Sequence, residues 1–164
     1  MMITQELVDA INAQIGREFG ASMEYIGIAS YFKLQNLNLL AKIFFEQSEE
    51  ERTHAMKFVH YVIDTNGSLH IPAIPVATFS YESAEQAVEA ALKWEKEVTA
   101  QINGLMSIAG RLNDYLAQGM LQWFVDEQLE EVTKMEQLLS VVRRAGEKNL
   151  IMVEAYLAHL GESG

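Results

Sequence analysis

Cysteine is absent from the 164 residues, which excludes a disulfide framework, a thiolate zinc site and an iron–sulfur cluster built from this chain. Proline is nearly absent. Pro72 and Pro75, the only two, fall in one segment, and the rest of the chain is free of the residue that breaks helices. Bases are scarce too, with 12 Lys and Arg against 23 Asp and Glu for a formal net charge of −11. Attraction to a phosphate backbone is carried by Lys and Arg, so no nucleic-acid partner is expected, whereas affinity for cations is. No apolar run approaches the ~18 residues of a membrane span, so no membrane partner is expected. Met1 to Asp9 contains Glu6 and Asp9 and lacks the basic and then apolar pattern of a secretory signal, which leads us to expect a cytoplasmic protein. At this length we expect one domain over residues 1–164.

What the chain does contain is helical periodicity, interrupted in four places. Ile11, Ile15, Glu18, Ser22, Tyr25, Ala29 and Phe32 follow the steps of four and three that keep one face of a helix toward its neighbours. Leu40, Phe44, Gln47, Glu51, His54, Phe58 and Tyr61 do the same, as do Val88, Ala91, Glu95, Val98, Ile102, Leu105, Ala109 and Leu112. The fourth seam is Leu121, Phe124, Gln128, Glu131, Met135, Leu138 and Val142. Each seam carries an acid, an imidazole or an amide near its middle.

The boundaries follow from capping chemistry. Thr4 is placed to cap a first helix to about Phe32, with Glu6 favoured by the helix dipole. A second helix is expected from about Leu37 to Thr65, stopped at Asn66-Gly67. The segment 68–82, with both prolines, has no helical seam. Ser83 and Gln86 form a capping box that opens a third helix to about Leu112. Asn113 and Asp114 make a tight joint into a fourth, Tyr115 to about Arg144, stopped by Gly146. A short apolar fifth helix spans about Asn149 to Leu160, and the tail 161–164 is expected to fray.

Long helices joined short, long and short make an antiparallel bundle with one crossover, and in that arrangement the four polar breaks fall in one layer. Withdrawing a carboxylate from water costs several kcal/mol in effect, about the scale of a domain's whole stability when four are stacked. No Lys or Arg lies on these seams within a turn of the breaks. Two divalent cations would balance Glu18, Glu51, Glu95 and Glu131. Carboxylates with an imidazole suit Fe, Mn or Zn, with iron the first choice, and leave positions open to small molecules. Glu51 and His54, three residues apart on one helical face, could grip the same ion, and the second oxygen of Glu51 could bridge to its neighbour.

The chain resembles the haem-free ferritins of bacteria and archaea over essentially its whole length. The carrying motifs are Asn-Ala-Gln-Ile-Gly-Arg-Glu ending at Glu18, Glu-Glu-Glu-Arg-Thr-His from Glu49 to His54, Lys-Trp-Glu ending at Glu95, and Leu-Gln-Trp-Phe-Val-Asp-Glu-Gln-Leu-Glu-Glu from Leu121 to Glu131. The resemblance implies an all-α, ferritin-like four-helix bundle with a long crossover between helices 2 and 3 and a short fifth helix. It implies iron storage: a homo-oligomeric hollow shell of twenty-four subunits, oxidation of Fe(II) by O2 or peroxide at a diiron centre in each subunit, and a stored ferric mineral.

Carried over residue by residue, Glu18, Glu51 and His54 would hold the first iron, and Glu51, Glu95 and Glu131 the second, with Gln128 close by as a neutral neighbour. A third, looser iron site would draw on Glu50, Glu127, Glu130 and Glu131. Tyr25 would hydrogen-bond near the metals and supply an electron; Trp123 is a core or interface aromatic with a lesser claim to that work, and Trp94 is packing. A second Glu-x-x-His, found in the fourth helix of bacterioferritins, is missing here, and Arg52 stands where they carry a haem-binding Met, so no haem is expected. Gly16, Gly20 and Gly27 form a stripe for close approach, either to a partner subunit across a twofold axis or to helix two or three. His60, His70 and His159 have no ligand spacing. Two other readings are a rubrerythrin-like diiron oxidase or peroxidase that stores no iron, and a metal-free structural bundle.

Overall fold

In a computed structural model, which describes residues 2–162, the described chain is all α-helical. It has four long helices, α1 (Gln5–Leu34), α2 (Asn38–Asp64), α3 (Ala84–Arg111) and α4 (Tyr115–Ala145), then a 3₁₀ turn (Glu147–Asn149) and a short α5 (Leu150–Glu162). α1 pairs with α2 and α3 with α4, while α5 packs on α2 and α4. This is the expected bundle with one long crossover. None of these helices is long and apolar enough to cross a membrane.

Local chemistry sets the helix ends. Thr4 accepts from the Leu7 amide at 3.4 Å, Ser83 from Gln86 at 3.0 Å and Asp114 from Ala117 at 2.9 Å, each satisfying an amide that the helix leaves unpaired. The capping box at Ser83 is incomplete: Gln86 turns its side-chain oxygen to the Glu82 amide, at 2.6 Å, instead of the Ser83 amide. α2 has no side-chain cap of its own. Glu154 of α5 supplies one from 115 residues away, accepting from Leu39 and Leu40 at 2.8 and 2.9 Å. Asn36, Asn66 and Asn113 end their helices at φ of 60°, 61° and 54°, a left-handed conformation that Asn tolerates. The expected fraying of 161–164 does not start at Gly161, because α5 continues through Glu162; Ser163 and Gly164 lie outside the described residues.

The apolar core is in two parts. One gathers Phe32, Leu40, Phe44, Val88 and Met135, and the other Ile11, Ile15, Phe58, Ile102, Leu121 and Phe124. Glu18, Glu51, His54, Glu95, Gln128 and Glu131 belong to neither and are buried between them. The four seams therefore break at the same height.

The crossover lies along α1. Asn12 donates to the Ser68 carbonyl at 2.8 Å and accepts from the His70 amide at 3.1 Å, and Glu24 accepts from the Thr78 amide at 3.2 Å. Here Gly16 and Gly27 of the glycine stripe find a partner that is neither helix two nor helix three, while Gly20 faces Trp94 of helix three, as expected. A Cβ on Gly16 would lie 2.5 Å from the Pro72 ring and one on Gly27 only 1.9 Å from the Thr78 carbonyl oxygen, whereas one on Gly20 would make ordinary contact, at 3.8 Å, with Trp94. Gly27→Ala is thus expected to push the crossover off α1 and destabilise the chain by about 1–3 kcal/mol. Gly20→Ala is expected to be neutral or to stabilise by up to about 1 kcal/mol through helix propensity. Urea unfolding of the two variants checks the contrast.

Candidate metal centre

Each helix delivers its polar residue to the waist because its seam continues on both sides in residues that must be buried. Glu18, Glu51, His54, Glu95, Gln128 and Glu131 are no more than 4% exposed. Three groups of side chains present ligand atoms within 4.8 Å of one another: Glu18 with Glu51 and His54, Glu51 with Glu95 and Glu131, and His54 with Glu127 and Glu131. Glu51 belongs to the first two, so one carboxylate stands between two neighbouring positions. His54 Nδ1 lies 3.3 Å from Glu51 and its Nε2 3.6 Å from Glu127.

Amides hold the acids. Gln14 Nε2 donates to Glu18 at 2.8 Å, and Gln47 Nε2 donates to Glu131 at 2.5 Å and to Glu51 at 3.2 Å. Gln128 Nε2 reaches both Glu95 Oε2, at 3.2 Å, and the Thr99 hydroxyl, at 3.1 Å. The Tyr25 hydroxyl donates to Glu95 Oε1. Sequence reasoning missed Gln14 and Thr99 as parts of the site and read Gln47 only as a seam position. The available signal was an amide four residues before a seam acid, repeated at 14 and 18 and at 47 and 51, a spacing that puts the two side chains in contact. No base lies on the seams within a turn of the breaks, yet one reaches the layer from outside them. Lys134 is off the seam, yet its flexible stem carries Nζ to within 2.8 Å of Gln47 Oε1 and 3.7 Å of Glu50.

The electrostatics are those of a site short of positive charge. Burial, then the charge of Glu51, holds the Glu18 carboxyl well above the usual carboxylate range. Burial, then Glu95, does the same to Glu51. Glu131 is pushed up to about 7 by burial and Glu95, although Lys134 pulls the other way. Tyr25 is kept neutral, above its ordinary value, by burial and then by Glu95. Glu18 Oε2 is buried without a hydrogen-bond partner, which is costly for a free acid and natural for a metal ligand. The donor set of carboxylates with one imidazole fits a pair of divalent first-row cations.

The residues expected to form a looser third position are only partly gathered. Glu127 meets His54 and Glu131, and Glu50 lies near enough to Glu131 to help push its carboxyl up. Glu130 is exposed and joins none of the metal-capable groups among the described residues. His54 faces this position through its second nitrogen, a role its spacing did not suggest. Trp123 stands edge-on to His54, its ring centroid 5.4 Å away, with Lys57 Nζ 3.8 Å above its own ring. Trp94 packs against both halves of the core. Arg52 points out to solvent.

Known proteins share this architecture. Residues 8–145 match the ferritin-like domain family. Ferritin BfrB of Mycolicibacterium smegmatis is 40% identical over 148 residues, covering 90% of this chain and 81% of its own. The bacterial non-heme ferritin of Staphylococcus aureus is 30% identical over 146 residues, 89% of this chain and 88% of that one. Among solved structures, the open pore ferritin of the archaeon Archaeoglobus fulgidus superposes with a TM-score of 0.91 at 29% identity, covering 94% of this chain and 97% of that one. With a matched domain that spans the four long helices and relatives alike along most of their length, the chain belongs to the ferritin family of iron-storage proteins.

Proposed function

We propose that this ferritin oxidises Fe(II) to Fe(III) at a pair of adjacent metal positions inside each subunit and stores the ferric product as mineral within a hollow shell of twenty-four copies. The observation that carries this reading is the layer of four buried carboxylates with Glu51 shared between two ligand groups. Glu18, Glu51 and His54 bind one Fe(II); Glu51, Glu95 and Glu131 bind the other. Two Fe(II) ions give up two electrons, which with two protons reduce O2 to hydrogen peroxide, or reduce peroxide to two waters.

The chain's part is binding, orientation and proton movement. Glu18, Glu51 and Glu131, their affinity for protons raised by burial, release them as cations enter. Gln14, Gln47 and Gln128 fix the carboxylate oxygens that face the ions. Tyr25, hydrogen-bonded to Glu95, would supply one electron and its phenolic proton where peroxide meets a single Fe(II), the iron supplying the other electron. Glu127, with Glu50, Glu130 and Glu131, offers the oxidised ion a looser position on its way out. α5 leaves Ile151, Met152, Tyr156 and Leu160 exposed, a surface that supports assembly. The work belongs in the cytoplasm, and haem takes no part in it.

Loading anaerobic protein with Fe(II) and admitting air tests the reading, with ferric absorbance as the readout. Oxidation in Glu18→Ala is expected to be slower than in the native protein by at least about tenfold, the scale of losing even an indirect contact to a metal ligand. Equal rates in the two proteins would overturn it.

A further inference from the structure

Two of the amides that hold the buried acids are held in turn by cations from outside the core. Arg17 Nη1 donates to Gln14 Oε1 at 3.2 Å, and Lys134 Nζ to Gln47 Oε1 at 2.8 Å. A donor seated on the amide oxygen leaves the NH2 end to face the carboxylates, which is the only end they attract. Lys134 differs from Arg17 in a second respect. Its Nζ also lies 3.7 Å from Glu50 Oε1, and Glu50 is a close neighbour of Glu131, one of the acids that with His54 and Glu127 forms the ligand group beside the pair.

On the reading that the waist holds two ions and a looser third, we propose that Lys134 is a tethered competitor for the third ion: its ammonium occupies the Glu50 edge of that position and sets how weakly the ion is held there. A metal cation that recruits Glu50 must displace the ammonium or endure its charge at close range. Displacement is feasible, because the Lys134 side chain is 42% exposed and its four-carbon stem can swing to solvent. It is not free, because both the Gln47 and the Glu50 contacts are lost. The pair is affected less, since among its ligands Glu51 is reached only through Gln47 and Glu131 alone feels the ammonium directly. The outcome is an order of affinity, with the ion outside the pair the weakest bound and the first to depart, which suits a protein that must pass its product onward.

Calorimetric titration of the full-length protein with Zn(II), which undergoes no oxidation, tests the inference without reference to turnover. The native protein is expected to take up a tight pair per subunit and then a weaker third ion. Lys134→Gln is expected to tighten the third ion by about tenfold, the weight of one nearby charge in a half-exposed setting, and to change the pair by a smaller factor. Lys134→Arg keeps a cation of similar reach and is expected to stay near the native third affinity, which separates charge from packing. A Lys134→Gln protein whose third affinity is unchanged, or whose three affinities move together, overturns the proposal. A native protein without a tight pair overturns the diiron reading itself, and this inference with it.

Discussion

Glu51→Gln is expected to make the metal-free protein more stable at pH 8 while abolishing the stability that metal confers and slowing aerobic Fe(II) oxidation by at least about 100-fold, since a shared ligand to both ions is lost. The two halves of this result have one cause. Glu51 is 2% exposed, and burial and the charge of Glu95 hold its carboxyl well above the ordinary range. At pH 8 the empty native site pays for that crowding. An amide of the same shape neither carries a charge nor has to take up a proton on folding, and it keeps the volume, so the metal-free variant should melt higher, by roughly 2–4 °C for each kcal/mol recovered in a chain of this size. At pH 5 the native carboxyl already holds its proton, and the difference should close.

Saturating Zn(II) should reverse the order. A ligand at a hundred times its dissociation constant stabilises the folded state by about 2.7 kcal/mol, or roughly 5–10 °C here, and this increment should appear in the native protein and be largely missing from the variant. Differential scanning calorimetry of both proteins, with and without Zn(II), reads all four values. A variant that gains the native increment and oxidises Fe(II) at the native rate would remove Glu51 from the site.

The second large effect is on the pH dependence of the native protein without metal. Most proteins lose stability toward acid because their paired carboxylates have depressed values; here the buried acids are displaced upward. An acid that holds its proton more tightly when folded than when unfolded contributes stability that is fully present below its unfolded value of about 4.5 and is lost as pH rises through its folded value. For Glu131 that means from 4.5 to about 7, worth on the order of 3 kcal/mol. Glu18 and Glu51 are displaced in the same direction and add to it.

The metal-free melting temperature should therefore fall between pH 5 and pH 8. Divalent cations compete with those same protons, so the increment from saturating Zn(II) should widen over the same interval. A metal-free melting temperature that is flat or rises from pH 5 to pH 8 would show that the carboxylates are not buried and crowded as described. Neither salt bridges at the surface nor the exposed acids would mimic the effect, because pairs such as Lys42 with Glu46, 67% and 60% exposed, are worth little and are screened.

The helices and the layer of acids were legible in the chain because both depend on local periodicity. A side chain at a seam position points inward whatever the neighbouring helix supplies, so Glu18, Glu51, Glu95 and Glu131 could be placed at the waist from spacing alone. Caps were legible for the same reason at Thr4, Ser83 and Asp114, where the acceptor lies three residues from its amide. The cap of α2 was not, since Glu154 reaches it from the other end of the chain.

Distance along the chain also hid the glycine stripe's partner. Gly16 and Gly27 read as a surface for close approach, but Pro72 and Thr78, which fill it, come from a segment with no periodicity to orient it. Lys134 and Gln47 were hidden by reach. A lysine off the seam points to solvent by pattern, and only the packed position of α2 beside α4 brings its ammonium to an amide 87 residues away.

Sequence alone thus determined that the chain is all-helical and which acids its helices turn inward, because those properties follow from a period of about 3.6 residues that each helix obeys by itself; the likeness to ferritins came from its motifs, not from that period. The tertiary structure decided which oxygens meet, which amides hold them and which ammonium competes at their edge, because long, rotatable side chains take a direction only when atoms from other helices have closed off the alternatives.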